Sequence, residues 1–147
     1  MINRVHLVFA IVVPAFIASE LNADDCSAKL DENINVCDIA QEKAKNMSEL
    51  LPISVDPITT ITSANADGKR VRITIKYGIT KDDFKGMANY AGIPHEDYMK
   101  TFSNQARAST CTNQADRMFI VALGGEIEYV YLYRDGSIAT TGLITKC

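Results

Sequence analysis

The C-terminal stretch, residues 124–147, narrows the possible folds more than any other part of the chain. It runs Gly124-Gly125-Glu126-Ile127-Glu128-Tyr129-Val130-Tyr131-Leu132-Tyr133-Arg134-Asp135-Gly136 and closes with Ile144-Thr145-Lys146-Cys147. Side chains of a strand alternate between faces, so Ile127, Tyr129, Tyr131 and Tyr133 share one face, while Glu126 and Glu128 begin the other. Asp135-Gly136 is a hairpin turn signal. A β-hairpin that ends in a cysteine is expected, and Cys147 can tie its last strand to an upstream element.

The other end of the chain sets the compartment. Arg4 precedes an apolar run, residues 5–17, interrupted only by His6 and Pro14, and smaller or polar residues follow. This is the layout of a secretory signal peptide, shorter than the ~20 apolar residues a membrane span needs. Residues 1–23 are assigned to it and residues 24–147 to one domain, with no integral membrane segment after cleavage and a periplasmic or secreted product. All four cysteines, Cys26, Cys37, Cys111 and Cys147, lie beyond the leader, and an even count in an exported chain points to two disulfides. Three pairings are possible. Cys26 with Cys37 and Cys111 with Cys147 are favoured, because each joins a candidate helix edge to a flexible neighbour or a terminus. Ala23-Asp24-Asp25 precede Cys26, so the small residues of a lipobox are missing and acylation there is not expected. No close cysteine pair occurs and His95 is the one histidine after the leader, so no metal site is expected.

Between these ends the periodicity changes several times. Val36, Ile39, Ala40, Ala44, Met47, Leu50 and Leu51 recur at spacings of three and four, which is helical, and Pro52 stops the run. Asn33 or Asn35 can cap its start, and the face with Asp38, Gln41, Glu42, Lys45 and Glu49 is expected to be solvated. Residues 53–57 read as a connector and Ile58 to Ser63 as a strand rich in Thr and Ile. After the Asp67-Gly68 turn, Val71, Ile73, Ile75 and Tyr77 alternate with Arg70, Arg72, Thr74 and Lys76. One face of that strand is therefore buried and the other is basic and open, which makes Arg70, Arg72 and Lys76 the candidate partner-binding residues. Two helical pieces flank Gly92-Ile93-Pro94, with Tyr98, Phe102 and Ala106 on one face of the second, and residues 114–122 suggest a short helix before the closing hairpin. The order helix, hairpin, helices, hairpin indicates an α+β domain: a small antiparallel sheet of about four to five strands, flanked by helices and stabilised by disulfides.

The chemistry implied is sparse. A net charge of -3 on 147 residues provides no basic footprint for nucleic acid. No nucleophile elbow, metalloprotease helix, phosphate loop or Cys-x-x-Cys occurs, and His95, beside Pro94 at a helix start, reads as a surface residue. Neither an enzymatic activity nor a cofactor is expected.

The helix end Leu50-Leu51-Pro52-Ile53, the strand Gly68-Lys69-Arg70-Val71-Arg72-Ile73-Thr74-Ile75, the helix running into Cys111 and the closing hairpin together resemble the type II secretion pilotins of the GspS-beta (AspS) kind, over roughly residues 40–147. The resemblance implies a small antiparallel sheet flanked by helices, with a disulfide between Cys111 and Cys147. It further implies an adaptor that binds a C-terminal segment of the outer-membrane secretin. Such pilotins are lipoproteins, whereas this chain lacks a lipobox, so the expectation is a lipid-free, non-catalytic periplasmic binding or accessory protein whose partner is a protein. An inhibitor or immunity-type protein, blocking an enzyme with its loops, is the alternative.

Overall fold

The computed structural model describes residues 26–147. The expected signal peptide, residues 1–23, lies outside the described residues. The elements are α1 (Val36–Ser48), β1 (Ile53–Asp56), β2 (Thr59–Asp67), β3 (Arg70–Tyr77), α2 (Lys81–Ala91), α3 (His95–Thr112), α4 (Gln114–Val121), β4 (Glu126–Leu132) and β5 (Ile138–Ile144). Over the described residues the fold is α+β, with four helices and a five-stranded sheet in sequential order β1-β2-β3-β4-β5.

The helix boundaries follow local chemistry. Asn35 caps α1 by accepting from the backbone N–H groups of Cys37 and Asp38 at 3.0 and 3.3 Å. Thr80 and Asp83 form a reciprocal capping box on α2, and those hydrogen bonds from Thr80 hold the Asp83 carboxyl below its ordinary range. Gly92, at φ 71°, closes α2 in the left-handed conformation that a side chain would oppose. Asn113 caps α4 through the N–H of Asp116.

Two details of the sheet differ from the sequence reading. The stretch read as a connector contains a four-residue edge strand, β1, paired antiparallel with β2. It is short, wholly exposed and bracketed by Pro52 and Pro57, so no alternation marks it. The sheet is also mixed rather than wholly antiparallel. β3 and β4 run parallel, from Arg70 opposite Glu126 to Lys76 opposite Leu132, because α2, α3 and α4 intervene and return the chain to the starting end of β3. Periodicity within a strand is the same for either direction, so it could not distinguish them.

The main core lies on one face of this sheet. Val71, Ile73, Ile75 and Tyr77 of β3 are buried beside Ile127 and Tyr131 of β4, Tyr133 and Ile144. Helix α1 packs on β2 and β3, where the small side chains of Ala40 and Ala44 allow close approach, and α3 packs on β5. Phe84 of α2 anchors an aromatic cluster. Its ring lies 4.7 Å from Tyr77, 5.8 Å from Phe102 and 5.7 Å from Tyr133, within the range of favourable ring pairs. Two disulfides brace the ends: Cys26 with Cys37 in the first turn of α1, and Cys111 in the last turn of α3 with Cys147, with Cα separations of 5.2 and 5.5 Å. Among the described residues no helix is long and apolar enough to cross a membrane.

Candidate functional site

Helix α4 carries four consecutive apolar residues, Met118-Phe119-Ile120-Val121. Successive residues of a helix point about 100° apart, so they cannot all face one core. Phe119 and Ile120 are buried, while Met118 and Val121 remain about half exposed. The direction of α4 is fixed from beneath. The far end of the Phe119 ring lies against the backbone of Gly125, where an added Cβ would come within 2.2 Å of its Cζ, and the Gly125 N–H donates to the Phe119 carbonyl at 2.9 Å.

Beside α4 runs α1, whose apolar stripe is divided between two tasks. Ala40 and Ala44 meet the sheet. Ile39, Met47 and the following Leu50 instead line a groove of about 670 Å³, with Met118, Phe119 and Ala115 of α4 on its other wall, Leu123 and Ile53 completing it. Leu50 is 70% exposed, although its spacing belongs to the buried pattern of α1. At the rim, the Lys43 ammonium reaches across from α1 to Asp116 of α4 at 2.5 Å. Glu42 and Asn46 stand on the same rim. Such a groove can receive an amphipathic helix laid along its length, by burial of the partner's apolar face.

The sequence reading did not single out these residues. Its helical period identified Ile39, Met47 and Leu50 as an apolar face, but a stripe does not reveal whether the chain itself covers it. The signal that could have revealed the groove is the four-residue apolar run on α4, too wide for a helix packed on one side.

The residues expected to bind a partner lie elsewhere. Arg70, Arg72 and Lys76 share the sheet face opposite the helices. Arg70 donates to Glu126 at 2.8 Å from Nε and pairs with it at 2.7 Å through its outer guanidinium nitrogen, and Arg72 Nε donates to Glu128 at 2.7 Å. The parallel register sets each arginine directly opposite a glutamate, so the two charges are neutralised within the sheet. Lys76 has no ion pair among the described residues, and its neighbours across the sheet are Thr60 and Leu132. His95, read as a surface residue, is half-buried at the start of α3, with Nε2 3.3 Å from the hydroxyl of buried Tyr133. The Tyr129 and Thr110 hydroxyls share a hydrogen bond of 2.9 Å, and the Tyr131 hydroxyl donates to the Phe102 carbonyl. Burial pushes the Tyr131 phenol up to about 12 and raises those of Tyr77, Tyr129 and Tyr133. Tyr131 and Tyr133, with Tyr77 of β3, are core groups held in the neutral form. No cluster of three or more His, Cys, Asp or Glu side chains that could hold a metal occurs among the described residues.

No protein-family model matches the sequence, and no curated protein matches it. Solved structures do. The type II secretion pilotin AspS of Vibrio cholerae superposes with a TM-score of 0.56 at 25% identity, covering 76% of this chain and 89% of that one. The pilotin EpsS of the Vibrio vulnificus type 2 secretion system gives 0.57 at 14% identity, over 75% and 87%. A Pseudomonas aeruginosa protein gives 0.58 at 13% identity, over 74% and 88%. These likenesses extend over most of both partners in each comparison, and the chain has a pilotin-like fold.

Proposed function

We propose that the protein is a non-catalytic, pilotin-like adaptor of the cell envelope, and that the groove between α1 and α4 is its binding surface. The observation that carries this reading is the unfilled groove itself: Ile39, Met47, Leu50 and Met118 line it without a covering element among the described residues. Filling it removes apolar surface from water at roughly 25 cal/mol per Å², a driving force that needs no catalytic group. AspS and EpsS are pilotins of type II secretion systems; following the resemblance drawn from the sequence, the proposed occupant is a C-terminal segment of a secretin, laid in the groove as a helix. The two disulfides support folding in an oxidising compartment such as the periplasm. In this reading the open sheet face with Arg70, Arg72 and Lys76 is not the primary contact, because its two arginines already have carboxylate partners. An inhibitor that works through its loops is less well supported: β2 joins β3 through Gly68 and Lys69, and residues 133–137 joining β4 to β5 are held by local hydrogen bonds.

Titration with a synthetic peptide of the secretin C-terminus, followed by calorimetry, tests the proposal. Saturable binding by the wild-type protein that Met118→Glu abolishes, with the fold intact by circular dichroism, is expected. Absence of binding, or binding that Met118→Glu leaves unchanged, contradicts it.

A further inference from the structure

Charge on the groove is unevenly placed. Only Glu42 and Lys43 among its lining residues are ionic. Lys43 is matched by Asp116 across the gap, with side-chain exposures of 25% and 20% for the two partners. Glu42 has neither an ion pair nor a hydrogen bond among the described residues and is exposed at the rim. Asn46 follows it by four positions, so the two side chains stand one helical turn apart, about 6 Å, along the same edge.

We infer that Glu42 is a selector for a cation: the groove takes an amphipathic helix whose apolar stripe is flanked by a lysine or arginine that pairs with the Glu42 carboxylate, with Asn46 hydrogen-bonding a polar group one turn further on. This rests on the groove being the binding surface, but not on the partner being a secretin. The internal Lys43–Asp116 pair makes the selection one-sided. Among the described lining residues it leaves no free cation to attract an acidic flank, so a helix with glutamate at that position meets an unmatched like charge, which costs affinity and specifies against it. An arginine can bridge to both Glu42 and the Asn46 amide oxygen through N–H donors spread over three nitrogens, whereas the three donors of a lysine radiate from one nitrogen and span a shorter gap.

The test uses three 14-residue helical peptides that share a leucine stripe at i, i+3, i+4 and i+7 and differ only in carrying Lys, Gln or Glu beside it. Each is titrated by fluorescence anisotropy against the disulfide-bonded protein and against its Glu42→Gln, Glu42→Lys and Met118→Glu variants. On the wild type, affinity falls in the order Lys, Gln, Glu, by about two- to fivefold per step, the size expected of an exposed pair. The order collapses in Glu42→Gln and inverts in Glu42→Lys, and the wild-type preference weakens as salt is raised. Equal affinities on the wild type, or an order that Glu42→Lys leaves unchanged, overturns the selector role. If Met118→Glu still removes all binding in that case, the groove survives as the binding surface. Binding of none of the peptides, or a Met118-dependent dimer in sedimentation that shows a second copy in the groove, overturns the selector and the groove together.

Discussion

The helical layer has two seams, and they have been finished differently. Where α2 and α3 meet the sheet, Phe84, Tyr98 and Phe102 meet Tyr77, Tyr131 and Tyr133 in an interlocked aromatic cluster. Where α1 and α4 meet, Ile39, Met47, Leu50 and Met118 face each other across open space. The residue types suit the two outcomes. Aromatic rings bury large area in fixed geometry, whereas methionine and leucine side chains can adapt to an incoming surface. The difference separates the seam that stabilises the fold from the seam available to a partner, and each can be probed while the other serves as control.

The largest effect is expected in the filled seam. Phe84→Ala should cost about 3–5 kcal/mol, since its side chain is fully buried and touches four rings that cannot all close the cavity. Urea unfolding measures it, and a loss below ~1 kcal/mol would mean that the cluster is not the stabilising element. The disulfides provide the next comparison. Replacing Cys111 and Cys147 with serine releases a loop with a sequence separation of 36, and the Cys26 and Cys37 pair one of 11. The chain-entropy estimates are about 4 and about 3 kcal/mol respectively. The bridge between α3 and the segment after β5 should therefore be the costlier to lose in thermal or chemical melts, and the reverse order would show that the α1 bridge restrains more structure than its loop length implies.

Alkaline pH should weaken the filled seam next. Tyr131, and with it Tyr77, Tyr129 and Tyr133, binds its proton more tightly in the folded state because burial disfavours the phenolate. The unfolded chain loses these protons near pH ~10. Stability from this source is therefore complete below pH ~10 and falls as the pH rises toward the folded value of about 12 for Tyr131. Phenolate absorbance and circular dichroism followed together should show the core tyrosines ionising only as the fold is lost, and ionisation of all six tyrosines in one early step with the fold retained would contradict the packing.

Much of the filled seam was legible in the sequence, because alternation in Tyr129, Tyr131 and Tyr133 and the three-to-four spacing of Tyr98, Phe102 and Ala106 report burial directly. The parallel pairing of β3 with β4 was not, since strand direction leaves no mark on periodicity. β1 was hidden for a similar reason: Ile53-Ser54-Val55-Asp56 is exposed throughout, so no face contrasts with another. The open seam was half legible. Ile39, Met47 and Leu50 stood out as apolar, but whether such a face is covered by the chain's own helices depends on distant contacts, here the Gly125 and Phe119 packing that orients α4. The charge pairing on the basic face of β3 was hidden in the same way. Its arginines looked free until the register brought Glu126 and Glu128 opposite them.

The smallest stability effect belongs to the open seam. Met118→Ser removes an exposed side chain and should change unfolding free energy by no more than about 0.5 kcal/mol, while weakening partner binding severely. A loss of stability comparable to that of Phe84→Ala would mean that α4 needs Met118 for its own packing.

The most direct test is to watch the side chains themselves. Methyl NMR spectra of the protein, recorded while the secretin C-terminal peptide is added, should show shifts at Ile39, Met47, Leu50 and Met118 and quiet resonances at Val130, Leu132 and Leu143 on the open face of the sheet. Shifts confined to those last three residues, with the α1 and α4 methyls unmoved, would contradict the account and transfer the binding surface to the sheet.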